Sequence, residues 1–303
     1  MTSWRSRAST AQRSRTHHWT GCCAKPDSAP RRRGSSSGRS GGRYLPEGDT
    51  IWRTAAALRR RIGGKVVSEA RPDSIGRLKG RRVESVEPNG KHLVMQFEGG
   101  IALHSHMRMT GAWHLYQVGE RWRQPERRAT AVLRFDDVVA VCFAAPVMEL
   151  VRDARQPVAH LGPDILVDRF DLEEVLRRAR QLEAPTLGEL LLEQRVCAGI
   201  GNIYKCESLW AHRLDPWMHP AELDDERLRQ LYATARNLMR RNLVTPMARQ
   251  HHAVHGRGGR SCPRCGTPIR IRAQGHQGRL TYFCPRCQGT VSGPSATRRG
   301  LRP

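Results

Sequence analysis

The sequence predicts an α+β protein of several domains: an N-terminal two-layer antiparallel β-sandwich with flanking helices, a helical domain and a C-terminal zinc ribbon. Three observations support this prediction. Short apolar or alternating runs broken by turn signals fill residues 66–143, which is the pattern of antiparallel strands. Four segments between residues 172 and 242 repeat their apolar residues at helical spacing. Two Cys-x-x-Cys pairs follow near the end of the chain.

Composition sets the class of partner. The chain of 303 residues has a formal net charge of +24 and an isoelectric point near 11.1, which indicates a polyanionic partner such as nucleic acid. Ten basic residues and one Asp lie in residues 1–44, which leaves +15 on the rest. The sequence has no run of 18 apolar residues and no secretory signal core, so we expect a cytoplasmic protein without a membrane span.

Residues 1–45 form a basic leader rich in Arg, Ser and Gly, which we expect to be disordered because it cannot bury enough apolar surface. It could be an arm that grips DNA, a targeting sequence, or a segment that is not made. We favour a mis-assigned start, since Leu45 stands where an initiator Met would stand and leucine codons can serve as bacterial starts. A further reason is chemical, because the nitrogen of Pro46 is a tertiary amide while residues 1–45 are attached.

Residues 45–50, which include Pro46 and Glu47, directly precede an amphipathic run at residues 51–60. This run predicts a helix with Asp49 or Thr50 as its N-cap. Proline before a helix is common, so the pair could be a simple turn. Alternatively, Pro46 is the first residue of the mature protein. Its nitrogen would then be a secondary amine, able to attack a carbonyl-like carbon and form an iminium.

Domain boundaries follow from these patterns: residues 46–165 for the sandwich, 166–250 for the helical domain, 258–288 for the zinc hairpin and 289–303 for a disordered tail. Residues 250–259 are expected to be a mobile linker.

In the sandwich, residues 82–88 and 91–97 flank Asn89-Gly90, a strong hairpin signal that would hold Lys91 on a rigid turn. A lysine at such a turn is otherwise a solvated surface residue.

The helical domain is predicted to contain helices at residues 172–180, 186–194, 202–212 and 224–242. Gly199 and Gly201 between two of them permit a close backbone approach, and Asn202 could cap the helix that follows. Such a helix start presents free N–H groups to a phosphate, although an ordinary helix corner would explain the same residues.

Four cysteines form the clearest site. Cys262, Cys265, Cys284 and Cys287 stand as two Cys-x-x-Cys knuckles, with predicted strands at residues 267–271 and 279–283 between them. Four thiolates close a tetrahedral site, so one structural Zn²⁺ is expected rather than a catalytic one. A disulfide framework or a redox pair is the weaker alternative. The many arginines in this unit favour nucleic-acid binding.

Three stretches, at residues 46–50, 199–210 and 278–288, together resemble the formamidopyrimidine-DNA glycosylase/endonuclease VIII family, and the endonuclease VIII branch in particular. The likeness runs from about residue 46 to 288. It also includes residues 89–91, 104–106 and 162–164. The resemblance implies that the helical domain is a helix–two-turn–helix DNA-binding domain and that the sandwich is catalytic.

The resemblance also implies an activity: excision of an oxidised base, with pyrimidines favoured, followed by cleavage of the abasic site through β- and δ-elimination. Pro46 would form a Schiff base with C1′ of the damaged nucleoside, and Glu47 would act as the acid and base. The implied partner is double-stranded DNA with an oxidised base or an abasic site, bound by a monomer. A preference for 8-oxoguanine or formamidopyrimidine is one alternative. A non-catalytic zinc-ribbon protein that binds damaged DNA, with residues 1–45 retained, is another.

Further residues take roles from the same resemblance. Lys91 would contact the phosphate beside the lesion and assist catalysis, while Asn202 and Arg279 would grip the flanking phosphates. His160 stands where some relatives carry a phosphate-binding arginine. The loop Arg108-Met109-Thr110 would fill the gap left by the flipped nucleotide, with Met109 as the wedge. Core packing is the alternative for that methionine.

Overall fold

The computed structural model describes residues 46–245 and 251–289. The predicted leader, residues 246–250 and residues 290–303 of the predicted tail lie outside the described residues. Sixteen helices and strands are used below. The helices are α1 (Gly48–Ile62), α2 (Leu172–Gln181), α3 (Leu187–Leu192), α4 (Asn202–Ala211), α5 (Asp225–Val244) and α6 (Pro285–Gln288). The strands are β1 (Glu69–Arg71), β2 (Val83–Asn89), β3 (His92–Phe97), β4 (Ile101–His106), β5 (Ala112–Gln117), β6 (Ala129–Arg134), β7 (Val138–Phe143), β8 (Val147–Val151), β9 (Arg270–Gln274) and β10 (Arg279–Phe283).

The predicted sandwich is confirmed. Two four-stranded antiparallel sheets, β1-β6-β7-β5 and β2-β3-β4-β8, pack face to face. Because side chains alternate along a strand, β3 turns Leu93, Met95 and Phe97 into the core and the residues between them to the outer face. The predicted Asn89-Gly90 turn joins β2 to β3, so Lys91 lies at the edge of this sheet.

Helix α1 buries a stripe at helical spacing, Ile51, Ala55, Leu58 and Ile62, against the sandwich core. Its start differs from the prediction. Glu47 is the N-cap residue and the helix already begins at Gly48, so neither Asp49 nor Thr50 caps it. Asp49 is instead buried inside the first turn and forms an ion pair with Arg53 at 2.8 Å.

The four predicted helices of the second unit are present as α2 to α5, and they enclose a separate apolar core around Leu190, Ile203 and Leu231. Three of them begin with a side-chain cap, since Asp171, Thr186 and Asp224 each accept a hydrogen bond from an N–H of the first turn. Helix α4 lacks a cap from its own sequence. The group that replaces it is described with the site below.

Strands β9 and β10 form the antiparallel hairpin of the zinc unit. The first strand begins three residues later than predicted, because residues 261–269 are occupied by the knuckle turn and its bonds, such as the Cys262 N–H to the Thr267 carbonyl at 2.9 Å.

Residues 253–255 are bonded to α4, which differs from the mobile linker predicted for residues 250–259. The Glu207 carboxylate of α4 accepts the backbone N–H groups of Ala253, Val254 and His255 at 2.7–2.9 Å, and Val254 is fully buried. None of the helices in the described ranges combines the length and apolarity needed to cross a membrane.

Candidate active site

Glu47 lies where α1 and α4 meet. Its side chain is only 3% exposed, and its Oε1 accepts the Ile203 N–H in the first turn of α4 at 2.8 Å. The carboxylate therefore supplies the cap that α4 lacks, at the positive end of the helix dipole. Pro46, directly before it, is half-buried at the entrance of α1. The fold thus places the Pro46-Glu47 pair on the start of a helix whose bonded residue, Ile203, lies 156 residues further along the chain.

The two predicted glycines explain how this contact is possible. A Cβ at Gly201 would lie 2.3 Å from the Glu47 carboxyl carbon, so a larger residue would displace that carboxylate. The Gly48 N–H donates to the Gly199 carbonyl at 3.0 Å, which joins the start of α1 to the same turn. The predicted close approach is therefore present. The group that approaches the glycines is the start of α1 with the Glu47 side chain before it.

Asn202 does not cap α4, contrary to the prediction, because it is already the first residue of the helix and Gly201 is the N-cap. Its side-chain Nδ2 instead donates to the Leu280 carbonyl on β10 at 2.7 Å. Asn202 is thereby brought next to Arg279, which is exposed and donates from Nε to Gln277 at 3.1 Å. The two residues predicted to grip phosphates therefore lie on elements that contact each other, α4 and β10.

A buried lysine supports the same junction from inside. Lys205 on α4 is fully buried and donates from Nζ to the Thr281 hydroxyl at 2.6 Å, and Thr281 in turn donates to Gln274 at 2.7 Å. Burial lowers the pKa of Lys205. Sequence reasoning missed this residue, because a lysine on a helix gives no sign that it is buried.

Lys91 lies within the electrostatic reach of both Glu47 and Arg279, so the structure brings three of the predicted catalytic residues together. Burial is the main cause that raises the pKa of Glu47 to about 7, against the opposing Lys91 ammonium and the Ile203 N–H. Burial likewise lowers the pKa of Lys91 to about 8, while Glu47 opposes that shift and Arg279 adds to it. Both groups can therefore exchange protons near neutral pH, as acid–base catalysis requires.

Asp164 fixes the turn that carries Lys91. One carboxylate oxygen accepts the Gly90 N–H at 2.7 Å and the Trp52 indole N–H at 3.3 Å, and the other accepts the Leu166 N–H at 2.8 Å. In the sequence, Asp164 stood out only as part of the resemblance at residues 162–164. The structure shows that it joins the hairpin, α1 and the entry to the helical unit.

We expect Asp164→Asn to lower the free energy of unfolding by about 1–3 kcal/mol, because the new amide NH₂ must face a buried N–H donor. Activity should fall as well, since the Lys91 turn loses its anchor. Urea unfolding measures the first effect and single-turnover excision the second. Asp168→Asn is the matched control, because that side chain is 95% exposed. Equal stability of the two variants would contradict the anchoring role.

The loop predicted to contain the wedge is exposed. Met109 is 56% exposed, so it is not a core residue, and Thr110 fixes the loop base by donating to the Ala144 carbonyl at 2.9 Å. Arg108 has a positive φ of 44°, which directs the chain out of β4. His160 is also exposed, and its ring lies 5.8 Å from that of His92.

The four predicted zinc ligands meet in one place. Their Sγ atoms all lie within 4.8 Å of one another, with 3.9 Å between Cys262 and Cys287 and 3.4 Å between Cys265 and Cys284. A tetrahedral Zn²⁺ with Zn–S bonds of about 2.3 Å needs sulfurs about 3.8 Å apart, so the residues fit the metal. The Trp210 indole N–H points to Cys262 Sγ at 3.4 Å, which favours a thiolate. In the described residues this is the one group of ligand side chains close enough to hold a metal.

Comparison with known proteins agrees with this division of the chain. The N-terminal domain of formamidopyrimidine-DNA glycosylase matches residues 43–147, and the H2TH domain of the same family matches residues 161–249. A zinc finger found in FPG and IleRS matches residues 259–289.

The alignments with individual relatives cover nearly the whole length of each relative. A probable endonuclease 8 2 of Streptomyces coelicolor is 38% identical, over 86% of this chain and 99% of the relative. The DNA-(apurinic or apyrimidinic site) lyase Nei2 of Mycolicibacterium smegmatis is 33% identical, over 80% of this chain and 99% of the relative. The crystal structure of the MutM (Fpg) protein of Thermus thermophilus superposes with a TM-score of 0.68 at 28% identity, over 82% of this chain and all of that one.

Proposed function

Because the chain belongs to the formamidopyrimidine-DNA glycosylase/endonuclease VIII family, we propose that it removes oxidised bases from DNA and then cleaves the abasic site. One observation supports this proposal more strongly than the others. A buried carboxylate with a pKa near 7 adjoins Pro46 and lies within the field of a lysine with a pKa near 8. This is the arrangement that proton transfer beside an amine nucleophile requires.

In the proposed reaction, the nitrogen of Pro46 attacks C1′ of the damaged nucleoside, and the bond from C1′ to the base breaks. The base leaves with the bonding electrons and takes up the proton that the amine nitrogen gives up. Glu47 gives a proton to the ring oxygen of the sugar, so the ring opens and an iminium forms between C1′ and Pro46. The iminium makes the 2′ hydrogen acidic. Loss of that proton expels the 3′ phosphate, and a second elimination expels the 5′ phosphate.

The phosphate-binding roles follow the same geometry. Lys91 would hold the phosphate beside the lesion from its anchored turn, while Asn202 and Arg279 would hold the flanking phosphates from α4 and β10. Bending the duplex between these contacts would expel the damaged nucleotide, and the exposed Met109 would fill the gap. We include Arg108, Thr110 and His160 in the DNA-binding surface, because they are on the loops around this site.

Zinc has a structural role in this proposal. Four cysteines leave no coordination position for water or substrate, so the metal would stabilise the hairpin that carries Arg279. We further propose a preference for oxidised pyrimidines in duplex DNA, action as a monomer and a place on the bacterial nucleoid in the cytoplasm. A panel of duplexes that contain either oxidised pyrimidines or 8-oxoguanine tests the lesion preference.

The state of Pro46 provides the sharpest test. The proposed imine requires a free secondary amine, so we expect N-terminal sequencing of the protein from its native host to begin at Pro46. Borohydride should then trap a covalent adduct with DNA that contains an abasic site. Pro46→Gly should bind that DNA with similar affinity but trap less of it, since a primary amine replaces the fixed ring nitrogen.

Trapping at a residue other than 46 would contradict the assignment of the nucleophile. Active protein that still carries residues 1–45 would do the same. If the retained leader is accompanied by DNA binding without cleavage, the non-catalytic alternative is correct.

A further inference from the structure

A row of hydrogen-bonded side chains crosses the outer face of the sheet β2-β3-β4-β8 beside the Lys91 turn. Glu149 Oε1 lies 2.8 Å from His104 Nδ1, and His104 Nε2 lies 2.9 Å from His92 Nδ1. The strand register creates this row, since His104 is opposite Glu149 and His92 is opposite His106. The His104 side chain is 5% exposed, whereas that of Glu149 is 54% exposed. We call Glu149, His104 and His92 the relay.

The relay has one arrangement of hydrogens when both imidazoles are neutral. An ionised carboxylate only accepts, so His104 Nδ1 carries a hydrogen and donates it to Glu149. Neutral His104 then accepts at Nε2, so His92 Nδ1 must be the donor. This leaves His92 Nε2 with a lone pair and no hydrogen. Burial lowers the pKa of His92 to about 3, and the neighbouring imidazoles and Lys91 add to that shift.

The groups that face His92 would attract an anion. His106 on β4 has its ring 4.4 Å from that of His92, and His160 approaches from the loop after β8. Lys91 is the neighbouring residue on the turn, and its charge helps to lower the pKa of His92. The charge of Arg108 likewise helps to lower the pKa of His106. All of these are cations or imidazoles. The carboxylate of Glu149 lies on the far side of His104.

We propose that His92 binds a phosphodiester oxygen of DNA and that this binding takes up one proton. This inference rests on the proposed function, because DNA supplies the phosphodiester. The proton comes from water and binds to His92 Nε2, which can then donate to the phosphate. The hydrogen on His92 Nδ1 passes to His104 Nε2, and the resulting imidazolium is held by the Glu149 carboxylate. The added positive charge thus lies on His104, beside the Glu149 carboxylate.

Proton uptake makes DNA affinity depend on pH with a definite sign. Free protein carries the relay without the extra proton, and the complex carries it. Binding must therefore weaken as pH rises, by up to about tenfold per pH unit when one proton is taken up. Glu47 can also take up a proton near its pKa of about 7, so the contribution of the relay is obtained as a difference between variants.

The test is titration calorimetry with a duplex that contains a tetrahydrofuran abasic analogue, in Pipes and in Tris at the same pH. Because these buffers differ in ionisation enthalpy, the difference in heat counts the protons taken up. We expect His92→Gln and Glu149→Gln to take up fewer protons than the natural sequence and to lose the part of the pH dependence of the Kd that the relay contributes. The glutamine of the Glu149→Gln variant keeps an oxygen that accepts from His104, so the fold should persist.

Glu87→Gln is the matched control. It makes the same change of charge on the same sheet face, in a carboxylate whose partner is Arg59. We expect natural proton uptake in this variant. Equal uptake in the natural protein and both relay variants would overturn this inference alone. Failure of the natural protein to bind the duplex would overturn the proposed function together with it.

Discussion

Glu47→Gln should slow base excision by about 10²–10⁴-fold in the single-turnover rate, which is the usual range for an acid–base residue. The amide of this variant keeps an oxygen that can accept the Ile203 N–H, so the cap on α4 should survive. What the amide lacks is the ability to give a proton to the sugar. The measurement is single-turnover excision from an oxidised-pyrimidine duplex, with DNA affinity measured alongside.

The pH dependence of the natural enzyme tests the same role. The proposed reaction needs Glu47 protonated and Lys91 charged, so we expect the rate to fall as pH rises through about 7 and again through about 8. Glu174→Gln is the control, since Glu174 also lies in the first turn of a helix but is paired with Arg177 and Arg178 on α2. A Glu47→Gln rate within tenfold of the natural one would exclude Glu47 as the acid.

Loss of zinc should weaken DNA binding by about 100-fold or more. Structural zinc contributes about 10–16 kcal/mol to the folding of small zinc-finger peptides at pH 7, and most of the β9 strand is exposed. Without the metal, the hairpin should lose the geometry that carries Arg279. Cys262→Ser and treatment with a chelator should have the same effect, measured by fluorescence anisotropy with an abasic-analogue duplex.

Cys142→Ala is the control for loss of a thiol, because Cys142 is buried in the sandwich core far from the four ligands in sequence. That variant should keep its DNA affinity. The main unfolding transition of the zinc-free protein should remain, since the sandwich and helical units have their own cores. Unchanged affinity after Cys262→Ser would exclude the hairpin as part of the DNA grip.

Much of the fold could be predicted from sequence because its signals are local. Asn89-Gly90 fixes a turn in any context, and β2 and β3 end and begin next to it as expected. The Cys-x-x-Cys spacing likewise identified the metal ligands. The apolar spacing of the second unit predicted both ends of each helix from α2 to α5 to within two residues.

Predictions failed where a distant residue decides the local structure. Asn202 was a reasonable cap for α4, but Gly201 is the N-cap residue and Glu47, 156 residues earlier than Ile203, accepts the first-turn N–H. Residues 250–259 have the composition of a loose linker, yet the Glu207 carboxylate accepts the backbone N–H groups of residues 253–255. The relay was also missed, since His92, His104 and Glu149 become neighbours only through the pairing of β3, β4 and β8.

The bond between Glu47 and the first turn of α4 has a consequence for newly made chains. We expect the pKa of the Glu47 carboxyl to reach its raised value only once the start of α1 has met the first turn of α4, because this contact joins residues that lie 156 positions apart. A molecule caught midway through folding therefore has an ordinary, solvated glutamate beside its proline. We therefore expect a partly folded chain to lack base excision until this contact has formed.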